Sequence, residues 1–530
     1  MPEILQILFC AVPVSVCCFF AARSMMHYFQ LESYQFPGYF RALKRNSRRV
    51  LLPSLCCAAF ALLCAAQTLT GASAMRWICA AVLLLASYPA GKAIARAFSV
   101  QKAKKKFAVT ARVKRLMGFF AVFLLLVSAL LYVASPWVTA LSGLLLPFIL
   151  ALAGLCAWPV EKLISELYFR DARRKLLSMP DLIRIGITGS YGKTSVKFIL
   201  DTILSEKYNV LVTPSSFNTP MGLTRVIRSS LNAGHQVFLA EMGARHVGDI
   251  RELCRLVHPT MGVLTSIGPQ HLETFKTLDR IASTKYELID ALPEDGCAFF
   301  ADDGSTVRGL YEKTAKPRVL SAVGNPDADV YADEVTVSPR GSSFLLHTGL
   351  GEIRCETRML GAHNISNIVL AVSVAVRLGL TLNQIKRGIA KIAPVEHRLQ
   401  LMDMPNGYTV IDDAFNANPR GANAALDVLG AFRDCRRVIV TPGMVELGAE
   451  EDEFNRSFGR KMASCVDEAF LIGRRHAQPI ADGLREAGFT EEHIHLCGSL
   501  DEAMTVLRPM LRLGDIVLYE NDLPDNYQDA

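Results

Sequence analysis

The sequence predicts an α/β protein with N-terminal transmembrane helices and a central P-loop domain built on a mainly parallel sheet. Three observations support this prediction. The composition of the 530-residue chain changes near residue 160, from long apolar runs to short ones that alternate with Gly, Pro and charged residues. Five of the early runs approach the length of a membrane span. After them, a glycine-rich loop separates a β-rich run from a helical pattern.

Residues 1–160 contain five apolar runs interrupted by short basic segments. A helix needs about 20 mostly apolar residues to cross the hydrocarbon core. Lys and Arg cluster after the first, third and fifth runs, whereas the segments after the second and fourth hold little more than Arg76. Since basic residues are retained on the cytoplasmic side, we expect a multi-pass protein with its N-terminus outside and its later domains in the cytoplasm. The predicted spans are residues 4–22, 50–67, 77–95, 117–134 and 137–159, followed by a juxtamembrane linker at 161–179.

The charge and cysteine patterns narrow the class of protein. Much of the net charge of +7 lies in the loops of the first half, which indicates membrane topology and contact with membrane lipid, and no nucleic-acid partner. Eight of the 14 cysteines lie in or beside the apolar runs, where they act as small hydrophobic residues. The other six are scattered without a CxxC pair. This spacing argues against a zinc ribbon or a disulfide framework and favours a reducing compartment.

A strand, a glycine loop and a helix follow one another after residue 181. The apolar run at 182–187 leads into T-G-S-Y-G-K-T-S at 188–195, and a helical pattern follows. In such an arrangement backbone N–H groups and the helix N-terminus wrap phosphate groups. Lys193 would face the β- and γ-phosphates, and the Thr194 hydroxyl would bind Mg²⁺. The glycine spacing differs from the common P-loop pattern, but the context still predicts a nucleotide site.

Two further strand ends carry polar side chains. The run at 237–240 ends in Glu241, and a carboxylate at the carboxyl edge of a parallel strand near a phosphate loop is well placed to hold Mg²⁺. The run at 261–268 leads to His271, and a helical pattern then carries Lys285. Taken alone, these residues also fit a strand-end glutamate, a loop histidine and a solvated lysine.

Seven motifs between about residues 180 and 520 occur in the order found in the Mur ligases, which the chain therefore resembles. Those enzymes join amino acids or dipeptides to a muramyl precursor through an acyl phosphate. The last motif, with G-M-V-E-L-G at 443–448, is similar to the MurF branch, which adds D-alanyl-D-alanine. The motifs are G-I-T-G-S-Y-G-K-T-S at 186–195, E-x-G at 241–243, T-S-I-G-P-Q-H-L-E at 265–273, T-K-Y-E at 284–287, G-A-H-N-I-S-N at 361–367, E-H-R at 396–398 and D-D-A-F-N-A-N-P at 412–419.

The resemblance implies a central ATP-binding Mur ligase domain at 180–393 and a C-terminal Rossmann-like domain at 394–530 that closes over the nucleotide. It implies ATP and Mg²⁺ as cofactors. The implied catalytic residues are Lys193, Lys285, His271 and Arg398. The implied metal ligands are Thr194, Glu241, His271 and, if it is carbamylated, Lys285. The implied ATP-binding residues are Gly189, Ser190, Gly192, Lys193, Thr194, Ser195, Asn364, Asn367, Arg398, Asp413, Asn416 and Asn418.

Two features depart from the family pattern. Members that act on soluble UDP-linked precursors carry an N-terminal domain for the UDP-sugar, and here the apolar runs occupy that position. This departure favours a lipid-linked or other membrane-proximal acceptor. MurF proteins follow their last strand with Lys-Gly-Ser, whereas this chain has the acidic stretch Y-E-N-D-L-P-D-N at 519–526. That stretch either changes the incoming amine or is a solvated tail.

The predicted activity is ATP-dependent amide-bond ligation in the synthesis or modification of a peptidoglycan precursor at the bacterial cell membrane. The partners would be a cell-wall precursor or other carboxylate acceptor and an amino acid or dipeptide. Two alternatives stay open. One is a ligase for a lipid-linked or polymeric acceptor, as in polyglutamate synthesis. The other is a membrane-bound nucleotide-binding partner that does not ligate, against which the set Lys193, Glu241, His271 and Lys285 argues.

Overall fold

The protein forms two compact units, Met1–Leu167 and Tyr168–Ala530. The first is helical, and the second contains two β-sheets with helices packed on them. The structure, a computed structural model, describes residues 3–70, 73–99, 106–214, 217–338, 341–394, 397–414, 418–445, 447–473 and 476–522.

Long apolar helices dominate the first unit. Their buried faces are rich in small residues, and a Cβ on Gly91 would lie 2.6 Å from the Cys17 carbonyl oxygen, so these helices approach closely. All 14 cysteines fall within the described residues and are free, in agreement with the expectation that they form no disulfide framework. The helices that begin in this unit are α1 (Glu3–Ala21), α2 (Arg23–Leu31), α3 (Phe36–Arg45), α4 (Ser47–Ala66), α5 (Ser73–Ala97), α6 (Ala111–Ala134), α7 (Leu141–Leu144) and α8 (Leu146–Leu177).

Within the described residues, five helical segments are long and apolar enough to cross a membrane, the number predicted from the sequence. They are Ile4–Ala21, Ser47–Leu69, Ala74–Ala97, Ala111–Ala134 and Leu146–Leu177.

The fifth segment differs from the predicted span at both ends. Ser135 is extended, and Pro136 opens a 3₁₀ helix over Pro136–Ala140, so the region predicted to begin the span is broken into short turns. At the other end α8 passes through Pro159 and continues to Leu177, and it includes most of the segment assigned to the linker. Hydropathy marks where a helix ceases to be apolar, but it does not mark where the helix ends.

The first sheet of the second unit holds nine strands in the described residues, in the order β2-β3-β1-β4-β5-β6-β7-β8-β9. The strands from β2 to β7 pair in parallel and the last two pairings are antiparallel, which confirms a mainly parallel sheet. Its elements are β1 (Ile183–Thr188), α9 (Lys193–Leu204), β2 (Val210–Val212), α10 (Pro220–Ser230), β3 (Val237–Glu241), α11 (Asp249–Val257), β4 (Met261–Leu264), α12 (Leu272–Phe275), α13 (Leu278–Asp290), β5 (Cys297–Ala301), α14 (Thr306–Lys313), β6 (Arg318–Val323), β7 (Val330–Ser338), β8 (Gly341–Thr348), β9 (Gly351–Thr357), α15 (Ala362–Arg377) and α16 (Leu382–Lys391).

The second sheet holds six described strands in the order β10-β11-β15-β12-β13-β14, and only the β10–β11 pairing is antiparallel among them. Helices on both faces give it the Rossmann-like character expected. Its elements are β10 (Gln400–Asp403), β11 (Thr409–Asp413), α17 (Pro419–Gly430), β12 (Arg437–Thr441), α18 (Glu451–Met462), β13 (Glu468–Ile472), α19 (Ala477–Glu486), β14 (Ile494–Cys497), α20 (Leu500–Met510) and β15 (Ile516–Glu520).

The strand register brings the polar strand ends together. In the first sheet Ile187 of β1 pairs with Glu241 of β3. Ile187 directly precedes Thr188, which is the last residue of β1 and the first residue of the glycine-rich motif. In the second sheet Asp413 of β11 pairs with Glu520 of β15. Ligands of open parallel sheets bind at such carboxyl ends, outside the strands.

Candidate active site

The glycine loop between β1 and α9 has the geometry of a phosphate-binding loop. Gly192 adopts a left-handed conformation with φ of 80°, which favours glycine, and α9 starts at the next residue. The Lys193 Nζ folds back over the loop and donates to the carbonyl oxygens of Gly189 (2.7 Å) and Ser190 (2.9 Å). Burial lowers the pKa of Lys193 to about 8, an effect that Glu241 opposes. The helix N-terminus and the lysine therefore face the same space.

The segment after β4 clamps this loop from one side. The Ser190 hydroxyl donates to the Gly268 carbonyl oxygen at 3.0 Å, and the Tyr191 hydroxyl donates to that of Pro269, also at 3.0 Å. The Tyr191 ring takes the space that a side chain at position 268 would need. Because this segment leads directly to His271, the conformation of the glycine loop is tied to the position of that histidine.

Glu241, at the end of β3, is 1% exposed and has three polar partners. Its Oε1 accepts hydrogen bonds from the Thr194 hydroxyl and the Asn218 amide, both at 3.1 Å. Its Oε2 lies 3.0 Å from the Nζ of the buried Lys197. A hydroxyl and a carboxylate oxygen side by side are the hard donors that Mg²⁺ prefers.

The other two predicted metal ligands lie on α12 and α13. His271 caps the short helix α12 in a left-handed conformation with φ of 54°. Lys285 is 2% exposed on α13, and burial, reinforced by the charge of Lys193, lowers its pKa well below the usual range. No group of three His, Cys, Asp or Glu side chains that could hold a metal alone occurs in the described part of the chain. The donor set fits Mg²⁺, which keeps water and phosphate oxygens among its ligands.

Two further ionisable residues, Arg398 and Asp413, belong to the region of the second sheet. Burial raises the pKa of Asp413 to about 6, while Arg398 opposes the shift. Burial lowers the pKa of Arg398, and the carboxylates of Asp413 and Glu241 both act against that shift. Arg398 therefore interacts electrostatically with acids of both sheets. Asn418 caps α17 by accepting from the Gly421 N–H at 2.9 Å, whereas Asn416 lies outside the described residues.

The two predicted asparagines of α15 adjoin the glycine loop. The Asn364 amide donates to the Leu360 carbonyl oxygen at 2.8 Å and accepts from Asn367 at 3.4 Å. A Cβ on Gly192 would lie 2.7 Å from Asn367 Oδ1, so only a glycine permits this approach.

Some of these groups line one solvent-open cleft within the second unit, whereas the predicted residues Gly189, Ser190, Lys193, Thr194, Glu241, His271 and Lys285 are not among its lining residues. Of the predicted ATP-binding residues it contains Gly192, Ser195, Asn364, Asn367, Arg398, Asp413 and Asn418. It also contains residues that sequence reasoning missed, namely Tyr191, Thr265, Ser266, Ala301, Asp302, Asp303, His363, Ser366, Leu399, Arg420, Gly421 and Ala422.

Some of the missed residues carried a usable signal. Asp302 and Asp303 follow β5, and the reasoning that identified Glu241 at the end of β3 applies equally to them. His363 stood inside a quoted motif; its buried Nδ1 has no hydrogen-bond partner among the described residues, and burial lowers its pKa to about 4. Lys197 carried no such signal, because a lysine in an amphipathic helix pattern is ordinarily solvated.

The sequence matches two family models, the Mur ligase middle domain over residues 187–375 and the Mur ligase glutamate ligase domain over residues 397–519. A Mycobacterium tuberculosis UDP-N-acetylmuramoyl-tripeptide--D-alanyl-D-alanine ligase is 32% identical over 359 residues, which make up 63% of this chain and 69% of the relative.

Solved MurF structures share the fold. One from Acinetobacter baumannii superposes with a TM-score of 0.61 at 25% identity, covering 68% of this chain and 78% of that one. A MurF ligase from Thermotoga maritima in complex with ADP gives a TM-score of 0.60 at 24% identity, covering 68% and 80% respectively.

The fold and the family matches define an ATP-dependent ligase with a P-loop domain and a Rossmann-like domain. The chain belongs to the Mur ligase family. It is accordingly an ADP-forming carboxylate–amine ligase with MurF-like catalytic domains, preceded by apolar helices outside the matched region. A non-ligating nucleotide-binding partner is not supported.

Proposed function

We propose that this enzyme forms an amide bond on a peptidoglycan precursor at the cytoplasmic face of a bacterial membrane, through an acyl phosphate. The observation that carries the proposal is a cleft that Gly192 and Ser195 of the glycine loop region line together with Arg398 and Asp413. Thr194, next to Ser195 in sequence, donates to Glu241 at 3.1 Å, and the carboxylates of Glu241 and Asp413 both act on Arg398. ATP would bind with its phosphates against the glycine loop. The acceptor carboxylate would attack the γ-phosphate, and the amine would then displace phosphate from the acyl phosphate.

The protein side chains have separate roles in this reaction. Thr194 and Glu241 would hold Mg²⁺, which would neutralise charge on the transferred phosphoryl group. Lys193 and Arg398 would stabilise the same charge with fixed cations. Asp413 would orient Arg398, and His271 would complete the metal site from the segment that clamps the glycine loop.

Lys285 suits a carbamate. Burial lowers the pKa of Lys285 and so favours its neutral amine, the form that reacts with CO₂. The product would be an anion beside Lys193 in place of a second buried cation. We propose that this anion is a further Mg²⁺ ligand.

The acceptor would be a UDP-linked muramyl tripeptide with D-alanyl-D-alanine as the amine, as the name of the M. tuberculosis relative states for that protein. One observation favours a second candidate. The matched region begins at residue 187, and the preceding residues supply five apolar helices. A lipid-linked or polymeric acceptor held at the membrane surface fits this arrangement.

The test uses the full chain purified in detergent, with phosphate release followed for UDP-linked and lipid-linked acceptors, each with D-alanyl-D-alanine and single amino acids. We expect one acceptor class to stimulate phosphate release together with an amide product visible by mass spectrometry. ATP hydrolysis that no acceptor or amine stimulates would contradict the ligase proposal. C-terminal fluorescent and alkaline phosphatase fusions would test the orientation, with activity of the phosphatase fusion as the contradicting result.

A further inference from the structure

A fully buried lysine occupies one side of the carboxylate that ends β3. Lys197 is 0% exposed, and its Nζ lies 3.0 Å from Glu241 Oε2. The other oxygen, Oε1, accepts from the Thr194 hydroxyl and the Asn218 amide, both at 3.1 Å. The two oxygens of one carboxylate therefore have different partners, with an ammonium on one and neutral donors on the other.

Two lysines of α9 thus have different tasks. Lys193 and Lys197 are four residues apart, so they lie on the same face of the helix. Lys193 contacts the carbonyl oxygens of Gly189 and Ser190 in the phosphate loop, whereas Lys197 contacts Glu241. Lys197 is fully buried, whereas Lys193 is partly exposed, so a nucleotide could reach Lys193 but not Lys197 in this arrangement.

We propose that Lys197 is a positioning residue that makes Glu241 a one-oxygen ligand and thereby sets the preference of the site for Mg²⁺ over Ca²⁺. This inference rests on the proposed Mg²⁺-dependent function. A cation beside Thr194 would meet Oε1, because Oε2 is already engaged by an ammonium that also repels a second cation. Chelation by both oxygens is blocked.

Binding through a single carboxylate oxygen affects metal preference because Mg²⁺ and Ca²⁺ differ in coordination number and geometry. Mg²⁺ requires near-octahedral geometry at about 2.0–2.1 Å and is usually held through single carboxylate oxygens with water and phosphate. Ca²⁺ accepts six to eight ligands at about 2.3–2.6 Å and often takes both oxygens of a carboxylate. A carboxylate restricted to one oxygen serves the smaller ion and removes a ligand from the larger one. A purely structural ion pair would not alter this ratio.

The experiment measures metal affinity without catalysis. The full chain in detergent is titrated with Mn²⁺, detected by EPR, in the presence of a non-hydrolysable ATP analogue, and Mg²⁺ and Ca²⁺ are then used as competitors. We expect Lys197→Met to lower the ratio of the Ca²⁺ to the Mg²⁺ dissociation constant by roughly tenfold, and Lys197→Gln to lower it by a smaller factor. Lys207→Met is the matched control, since Lys207 follows the same helix but contacts the carbonyl oxygens of Leu378 and Gly379.

An unchanged ratio in Lys197→Met would overturn the inference. Loss of the buried ammonium leaves Glu241 without its counter-ion, so this variant can fail to fold. In that case Lys197→Gln decides, because it keeps a polar side chain near Oε2 but carries no charge, and an unchanged ratio there overturns the inference. If the unmodified protein binds no metal–nucleotide complex, both the proposed function and this inference fail. If it binds the complex but the Lys197 variants leave the ratio of the two dissociation constants unchanged, only the role of Lys197 is removed.

Discussion

Two buried glutamates occupy corresponding places in the two sheets, at the carboxyl ends of β3 and β15. Glu241 has an ammonium and two neutral donors around it. Glu520 is 0% exposed and accepts only from the Thr441 hydroxyl, at 3.1 Å, while its Oε1 has no hydrogen-bond partner in the described part of the chain. Its neighbour in the sheet register is another acid, Asp413.

The comparison shows two ways of burying a carboxyl group. The charge of Glu241 is compensated by Lys197, which leaves a charged carboxylate suited to a metal ion. Burial, and then the charge of Asp413, raise the pKa of Glu520 well above its usual range. The protonated form of Glu520 is therefore favoured by its surroundings. The same side chain at the same kind of strand end has different surroundings, because helix α9 supplies a lysine to Glu241 whereas the neighbouring strand β11 supplies an acid to Glu520.

The largest effect on activity is expected from the loss of Lys193, the lysine of the glycine loop region. Lys193→Ala should reduce ATP turnover roughly 1000-fold, since a fixed charge on the transferred phosphoryl group is lost. Phosphate release measures the effect, and a thermal unfolding scan checks that folding is retained. The exposed Lys391→Ala serves as the control. Normal turnover in Lys193→Ala would remove the phosphate-loop assignment.

Lys285→Ala should be almost as severe, with activity reduced roughly 100-fold. If a carbamate is the functional group, short carboxylates added to this variant should restore part of the activity, because they supply the missing anion. The unmodified enzyme should gain nothing from the same additions. Full activity of Lys285→Ala without them would show that this lysine is structural.

Asp413, which pairs with Glu520 in the second sheet, should control the pH dependence of activity. Asp413 has a pKa of about 6, so its charge is present above that pH and is lost below it. We expect kcat/KM for ATP to fall below pH 6, by up to about tenfold per pH unit, as Arg398 loses its counter-ion. Asp413→Asn should show a lower plateau without this limb. Glu520→Gln should keep the limb, because burial favours the uncharged form of Glu520 and the substitution leaves an uncharged side chain there. A displaced limb would mean that Glu520 is ionised.

Local patterns were sufficient to predict much of this arrangement. The glycine loop and Glu241 each follow an apolar run, and a strand end close to a glycine loop can be recognised without the fold. Asp413 was instead implied by the resemblance to the Mur ligases, through the motif at 412–419. The contact between Lys197 and Glu241 could not be predicted, because it depends on the pairing of Ile187 with Glu241 across two strands that are 54 residues apart in sequence.

The burial of Glu520 was the second property that could not be predicted from the sequence. The stretch at 519–526 suggested either an altered amine site or a solvated acidic tail, but its first acid, Glu520, points into the protein and belongs to β15. Residues 523–526 lie outside the described residues. Alternation within a short strand cannot show which acid is covered, since that depends on the helices packed above it.

Glu520→Gln is expected to have the smallest effect, on stability. The pKa of Glu520 is raised in the folded protein, so folding favours its protonated form and stability is lost as the pH rises above the ordinary glutamate pKa. The cost is absent below the ordinary glutamate pKa of about 4.3 and grows by about 1.4 kcal/mol per pH unit above it, until the folded-state pKa is passed. The amide of glutamine has no such cost. Glu520→Gln should therefore raise the thermal midpoint by about 2–4 °C at pH 7 and lose less stability than the unmodified protein between pH 5 and pH 7. The substitution of the exposed Glu492 by Gln is the control. If Glu520→Gln and the unmodified protein lose equal stability between pH 5 and pH 7, Glu520 is compensated by a charge, as Glu241 is.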